Sequence, residues 1–86
     1  MPEISRFFGV SIRMYFDDHE PPHFHAIYAG HEAQVGIDPI MVLAGKLPNR
    51  ATSMVLEWAA LHQRERAGNW HRLRNDQPVE GIEPLE

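Results

Sequence analysis

The sequence predicts an α+β fold: an antiparallel sheet of three to five short strands, followed by one long helix or two consecutive helices packed on one face. Two observations support this class. Apolar and polar residues alternate through the first half of the chain, as in strands with one buried face. From Pro48 onward, apolar residues recur every three or four positions, the period of an amphipathic helix. The length fits one domain over residues 1–86.

The clearest strand pattern begins at residue 10. Apolar residues occupy the even positions there, so the even face is expected to lie on the core. Residues 4–8 are predicted to form a short partner strand, with Gly9 at the turn or bulge between them. The apolar positions of the longer strand are Val10, Ile12, Met14 and Phe16.

A hairpin is predicted around Ala29-Gly30, because a glycine after a short residue suits a two-residue turn between alternating segments. This turn sets the register of the flanking segments, residues 24–28 and 31–37. In that register the small and apolar residues share one face, and the histidines share the other. The predicted pairs are Tyr28 with His31, Ile27 with Glu32, Ala26 with Ala33, His25 with Gln34 and Phe24 with Val35.

The second half of the chain starts after the break at Asp38-Pro39, where residues 40–43 are predicted to form a further short strand. Pro48 suits the first turn of a helix. The helix is expected to bend, or to stop and restart, near Gly68. Residues 77–86 are expected to form an irregular tail packed on the body. The helical stripe contains Ala51, Met54, Val55, Trp58, Leu61 and His62, and Trp70 and Leu73 continue it.

Aromatic and histidine side chains of the helical region are expected to be structural. Trp58 and Trp70 are predicted to anchor the core, with Trp70 a candidate contact for a partner if it is incompletely covered. His62 is predicted at the edge of the core, bonded to a carbonyl or a tyrosine. His71 is predicted on the surface.

Composition limits the function classes. The net charge is −4 and the sequence pI is near 5.8, which makes nucleic acid an unfavourable partner, although residues 62–74 are locally basic. The absence of cysteine means that any metal site must use nitrogen and oxygen ligands. The longest apolar run is too short to span a membrane, and no signal-peptide pattern is present, which together predict a cytoplasmic protein without membrane contact.

Residues 17–25 carry the densest group of reactive side chains, with three of the chain's six histidines beside a Pro-Pro step. His23 and His25 are two positions apart on a predicted strand, so they project from one face about 7 Å apart at Cα. We expect both to be solvent-accessible, on the face away from the helices and near Arg13 and Tyr15. In order, the segment reads Asp17, Asp18, His19, Glu20, Pro21, Pro22, His23, Phe24 and His25.

Four interpretations of this segment remain open: a metal site, metal-free catalysis, a structural role and a protein-interaction surface. Only the first involves a cofactor, and no cofactor is taken as required. A divalent metal (zinc, iron, manganese or nickel) could be bound by His23 and His25, with Asp17, Asp18 or His19 as third ligand. Alternatively, the two histidines could act as acid and base without a metal, with Arg13 or Tyr15 contacting the substrate. Lastly, the residues could be structural: Asp18 capping the bend, His19 and His23 bonding loop carbonyls, and His25 half-exposed on its strand.

The order of several short motifs resembles a family of small bacterial proteins catalogued as a domain of unknown function (family forty-one sixty). The motifs are residues 4–9, Asp18-His19 followed by Pro21-Pro22-His23 and His25, residues 56–59, Leu61-His62 and Asn69-Trp70. The resemblance implies a compact cytosolic α+β protein, often encoded beside a second small protein as toxins and antitoxins are. Two positions depart from the family pattern: Asp17 stands where asparagine is usual, and Arg66, where leucine is usual, is expected to weaken docking of the later helical part.

Two functional hypotheses follow. The first is an interaction or regulatory protein of a toxin–antitoxin-like two-gene module, which binds the neighbouring gene's product or forms a homodimer. Its acidic charge suits a basic partner. The alternative is a small histidine-dependent or metal-dependent hydrolase or nuclease centred on His23 and His25. The sequence leaves open whether the protein is an enzyme.

Overall fold

A computed structural model describes residues 3–15 and 18–86, and the prediction for Phe16 lies outside this range. The described chain forms five strands and then two helices, which confirms the α+β prediction. The strands make one antiparallel sheet in the order β1-β2-β3-β4-β5, so each strand pairs with the next along the chain. The elements are β1 (Glu3–Phe7), β2 (Val10–Arg13), β3 (His23–Tyr28), β4 (His31–Gly36), β5 (Val42–Gly45), α1 (Asn49–Leu61) and α2 (Gln63–Arg74).

The β3–β4 hairpin has the predicted register. Ala29 and Gly30 form its turn with φ of 49° and 83°, as a two-residue turn with positive φ at both positions requires. Tyr28 lies opposite His31, and Phe24 opposite Val35. Because the register is confirmed, Phe24 lies on the core face of the sheet and His23 and His25 project from the opposite face.

The last strand begins later than predicted. Residues 40–43 were expected, whereas β5 spans Val42–Gly45. The turn after Asp38-Pro39 extends through Met41, whose carbonyl accepts a 2.7 Å hydrogen bond from the amide of Gly36. The pairing of β4 with β5 then shifts by a bulge between Gln34 and Val35. Local breaker residues predict where a strand is interrupted better than where the next one starts.

The core lies between the sheet and the helices. Val10, Ile12 and Met14 are 0% exposed, which confirms the even face of the first long strand as the core face. Trp58 of α1 packs edge-on against Phe24 at 5.6 Å between ring centroids, and lies 5.8 Å from the ring of Phe7. The buried hydrophobic residues are Ile4, Phe7, Val10, Ile12, Met14, Phe24, Ala26, Ala33, Val35, Ile37, Leu47, Ala51, Val55, Trp58, Ala59, Trp70, Leu73 and Ile82.

The helical region is two helices, but the break is not near Gly68. It falls at His62, whose φ of −125° and ψ of 34° leave the helical region. Gly68 lies within α2 at an exposed position, where an added Cβ would meet nothing within 4 Å. Arg66 of α2 donates a 2.6 Å hydrogen bond to the carbonyl of Ala59, in the last turn of α1, and so stabilises the junction.

The C-terminal tail packs back on the body, as predicted. The amide of Ile82 donates to the carbonyl of Ile4 at 2.7 Å. The indole nitrogen of Trp58 donates to the carbonyl of Glu83 at 2.9 Å. Because the tail covers one side of β1 and α1, it closes the end of the core away from β5.

Candidate metal centre

The strand β3 places two imidazole rings side by side. His23 and His25 project from the sheet face opposite to Phe24, and their ring centroids are 5.1 Å apart. His25 lies opposite Arg13 on β2 and Gln34 on β4. The strand register thus brings the two histidines together, as the sequence predicts.

The prediction that both histidines are solvent-accessible is wrong. His23 is 6% exposed and His25 is 7% exposed. The edge of the Tyr15 ring packs on His25 at 4.6 Å between centroids, and Trp70 lies 5.6 Å from His23. The burial of the two histidines does not come from an altered strand register. It arises because the rings of Tyr15 and Trp70, together with the site loop (defined here as residues 18–22), cover the polar face of the sheet.

Each imidazole is fixed through its Nδ1 atom. His23 Nδ1 lies 2.8 Å from the carbonyl oxygen of Pro21, and His25 Nδ1 lies 2.9 Å from Oε2 of Glu32. A carbonyl or carboxylate oxygen only accepts, so each Nδ1 must carry the proton. In the neutral form of each ring, the lone pair is then on Nε2.

Both Nε2 atoms point at one oxygen of Asp18. Asp18 Oδ1 is 3.0 Å from His25 Nε2 and 3.6 Å from His23 Nε2. The second carboxylate oxygen accepts a 3.0 Å hydrogen bond from the amide of Tyr15, whose carbonyl in turn accepts from the amide of Asp18 at 3.1 Å. These two bonds fix the carboxylate, as expected if Asp18 caps the bend.

The histidine cluster, meaning Asp18, His23 and His25, therefore has room for either a shared proton or a metal ion between its ligand atoms. Two nitrogen lone pairs that face a carboxylate oxygen repel it unless a proton or a metal ion lies between them. One ligand atom from each residue can be chosen so that all three lie within 4.8 Å of one another. Two imidazole nitrogens and a carboxylate suit zinc and other first-row divalent metals.

A surface depression of about 600 Å³ adjoins the cluster. Asp18 and His23 line it, together with His19, Glu20, Pro21, Gln34, Leu43 and Ala44. The cluster is thus buried from most directions but reached from one. A ligand in this depression would contact Asp18 and His23, two of the three side chains that could hold a metal.

The other predicted site residues are placed differently. Tyr15 contacts His25. Arg13 lies opposite His25 in the strand register, but it donates its Nε–H to Ser11 Oγ at 3.0 Å. His19 is exposed at the rim and is not part of the cluster. Asp17 lies outside the described residues.

Glu32 is the site residue that sequence reasoning missed. Its predicted partner across the strands is Ile27, which the register confirms. Its carboxylate instead reaches diagonally to His25, two positions along β3. Diagonal neighbours on one sheet face are within reach of long side chains, so the confirmed register contained this signal.

The fold and the cluster together define a small α+β protein in which a carboxylate on a loop faces two histidines on the neighbouring strand. The chain belongs to the family described as a domain of unknown function (DUF4160), whose family model matches residues 9–71. A search of curated proteins and a search of solved structures each find no match. None of the helices in the described ranges is long and apolar enough to cross a membrane.

Proposed function

We propose that the protein binds a divalent transition-metal ion between Asp18, His23 and His25. The supporting observation is that both imidazoles are held through Nδ1 by acceptors while both Nε2 atoms point at one carboxylate oxygen. Hydrogen-bond acceptors behind ligating histidines fix the tautomer and the ring orientation in metal sites.

In this proposal the bound metal serves hydrolysis. Three protein ligands leave coordination positions for water or a substrate, as in catalytic zinc sites. A metal held by Asp18, His23 and His25 would lower the pKa of a bound water and so supply a nucleophile near neutral pH. The depression beside His23 and Asp18 gives a substrate a route to that position. A hydrolase or nuclease is therefore the activity that we assign to this centre.

Metal titration of tag-free protein tests the proposal. Isothermal calorimetry with Zn²⁺, Mn²⁺, Ni²⁺ and Fe²⁺ should give one site per chain for at least one metal. His23→Ala, His25→Ala and Asp18→Asn should each weaken binding at least about 100-fold, as loss of a direct ligand requires. His19→Ala is the matched control, because this neighbouring histidine lies outside the cluster. Binding that is lost in His19→Ala but kept in the cluster variants would refute the proposal.

A second function, contact with another protein, is supported by the edge strand. Met41, Val42 and Leu43 are 50%, 41% and 39% exposed in and beside β5. An apolar edge strand is a template for strand addition by a partner. We propose the product of a neighbouring gene as this partner, in the cytoplasm, with a homodimer as the alternative. Co-expression of the two gene products should give a complex, and Val42→Lys should abolish it. If the partner still co-purifies with the Val42→Lys variant, the edge strand β5 is not the binding surface.

A further inference from the structure

The end of α2 is bonded to the site loop. Arg74 Nη2 donates a 2.7 Å hydrogen bond to the backbone carbonyl of Asp18. The indole nitrogen of Trp70 lies 3.3 Å from Oε2 of Glu20. The Arg74 guanidinium also lies over the Trp70 ring, 4.7 Å from its centroid, so the two side chains support each other.

The same tryptophan contacts the strand half of the cluster. Its ring centroid is 5.6 Å from that of His23. Trp70 therefore touches a histidine ligand on β3 and, through Glu20, the loop that carries the carboxylate ligand. One helix end thus spans both parts of the candidate centre.

The two parts are anchored differently. His23 and His25 are held by the backbone pairing of a central strand. Asp18 is on a loop: two bonds to the backbone of Tyr15 orient its carboxylate locally, and on the far side of the loop the carbonyl of Pro22 accepts a 3.1 Å bond from Ile37. A metal site tolerates displacement of only about 0.5 Å in a ligand. The loop position therefore decides whether the carboxylate can complete the site.

We infer that Arg74 and Trp70 are positioning residues for the metal centre, which hold the site loop so that the Asp18 carboxylate faces the two imidazoles. This inference rests on the metal site proposed above. Neither side chain is a ligand. Arg74 acts by fixing the backbone of the ligand Asp18, and Trp70 acts by fixing Glu20, which lies in the same loop.

The test is Zn²⁺ affinity of the full chain, measured by calorimetry for Arg74→Gln, Arg74→Lys and Trp70→Phe. Arg74→Gln should weaken binding about 10-fold to 100-fold, the usual effect of losing a supporting hydrogen bond. Arg74→Lys should recover part of the affinity, because it keeps a positively charged donor on a long side chain, whereas the glutamine amide is shorter and neutral. Trp70→Phe keeps an aromatic ring without the N–H, and should weaken binding several-fold. Arg64→Gln is the matched control, because it removes the same charge from an exposed position on α2.

A double-mutant comparison separates positioning from a general loss of stability. In the Asp18→Asn background, Arg74→Gln should cause no further loss of affinity, because the group that it positions is already neutralised. A general structural defect would weaken binding equally in both backgrounds. Circular dichroism identifies any variant that fails to fold, in which case Trp70→Phe provides the test.

The outcomes distinguish this inference from the proposed function. If the cluster variants lose zinc but Arg74→Gln and Trp70→Phe bind as tightly as Arg64→Gln, the positioning role is wrong and the metal site stands. Equal losses from Arg74→Gln in both backgrounds also overturn the positioning role. A wild-type protein that binds no metal overturns both.

Discussion

Among the described residues, two groups of buried or nearly buried polar side chains are bonded in different ways. Arg66 and Asn69 of α2, here called the backbone-bonded pair, reach main-chain groups: Arg66 donates to Ala59, and Asn69 exchanges two 2.8 Å hydrogen bonds with the backbone of Glu80. The histidine cluster instead joins side chains to one another, with two Nε2 atoms facing one carboxylate oxygen.

The difference shows which buried polar groups indicate a function. Main-chain carbonyls accept from both Nη atoms of Arg66 and from the Asn69 amide, which leaves Arg66 Nε as the one donor of the pair without a partner among the described residues. The cluster has acceptors facing acceptors unless a cation is added, and burial makes this unfavourable. Burial of polar groups is therefore not the informative feature. The informative feature is convergence of side-chain atoms that satisfy one another only when a proton or a metal ion lies between them.

Among the variants that test the comparison between these two groups of polar side chains, we expect the largest change in Zn²⁺ affinity at Glu32. Glu32→Ala removes the acceptor behind His25 Nδ1, so the ring loses its fixed tautomer, and Zn²⁺ affinity should fall about 10-fold to 100-fold. Glu32→Gln keeps an acceptor oxygen without the charge and should fall between wild type and Glu32→Ala. Calorimetry measures both. Equal affinity in all three proteins would mean that this contact does not support the centre.

Much of the sheet could be predicted from local pattern. The turn at Ala29-Gly30 and the alternation around it were enough to give five of the six pairs of the β3–β4 register, including His25 with Gln34. This succeeds because a shift of one residue would expose Phe24 and Val35, which are 0% and 1% exposed. The faces of the strands, and hence the pairing of the two histidines, were fixed by residues close in sequence.

The coverage of the cluster could not be predicted in the same way. The rings of His23 and His25 are covered by Tyr15, the site loop and Trp70, and the contact with Trp70 depends on how α2 docks. The helix break illustrates the same limit: Gly68 was the local signal, but the chain breaks at His62, where Arg66 bonds back to Ala59. Long-range contacts decided both outcomes.

A smaller effect is expected at Arg66, the charged member of the backbone-bonded pair. Burial lowers the pKa of Arg66 to about 10, which shows that its surroundings disfavour the charge. The carbonyls that it bonds also accept from other donors: Ala59 from the amide of His62, and Ile37 from Gln63. Its guanidinium covers the Phe24 ring at 5.4 Å, so α2 stays docked with the arginine inside.

Arg66→Met should therefore change the free energy of unfolding by only about 1 kcal/mol, in the stabilising direction, since it replaces a buried charge by an apolar chain of similar length. Urea denaturation measures this change. Zn²⁺ affinity should stay within about twofold of wild type, because the residue lies on the opposite face of the sheet from the cluster. Destabilisation by more than about 2 kcal/mol would show that the hydrogen bonds of Arg66 stabilise the fold by more than burial of its charge destabilises it.

The smallest effect is expected at His62, which also has a carboxylate partner but, among the described residues, no third metal-ligating side chain beside it. His62 Nδ1 lies 2.9 Å from Oε2 of Glu65, a bond that replaces the carbonyl or tyrosine partner predicted from the sequence. This hydrogen bond, with a smaller contribution from the charge of His62, lowers the pKa of Glu65 below its ordinary value. A carboxyl group with a lowered folded-state pKa contributes stability above its unfolded pKa, and the contribution is lost as the pH falls through the folded value.

His62→Ala should accordingly raise the pKa of Glu65 toward its ordinary value, which carbon-detected NMR titration of the carboxyl group measures directly. The small stability difference between variant and wild type should be present at neutral pH and should shrink as the medium is acidified through the range where Glu65 titrates. Zn²⁺ affinity should not change, because a single histidine–carboxylate pair at a half-exposed junction provides no converging third ligand. A loss of zinc binding in this variant would break the comparison, since it would mean that pairing alone, without convergence, is enough to hold the metal.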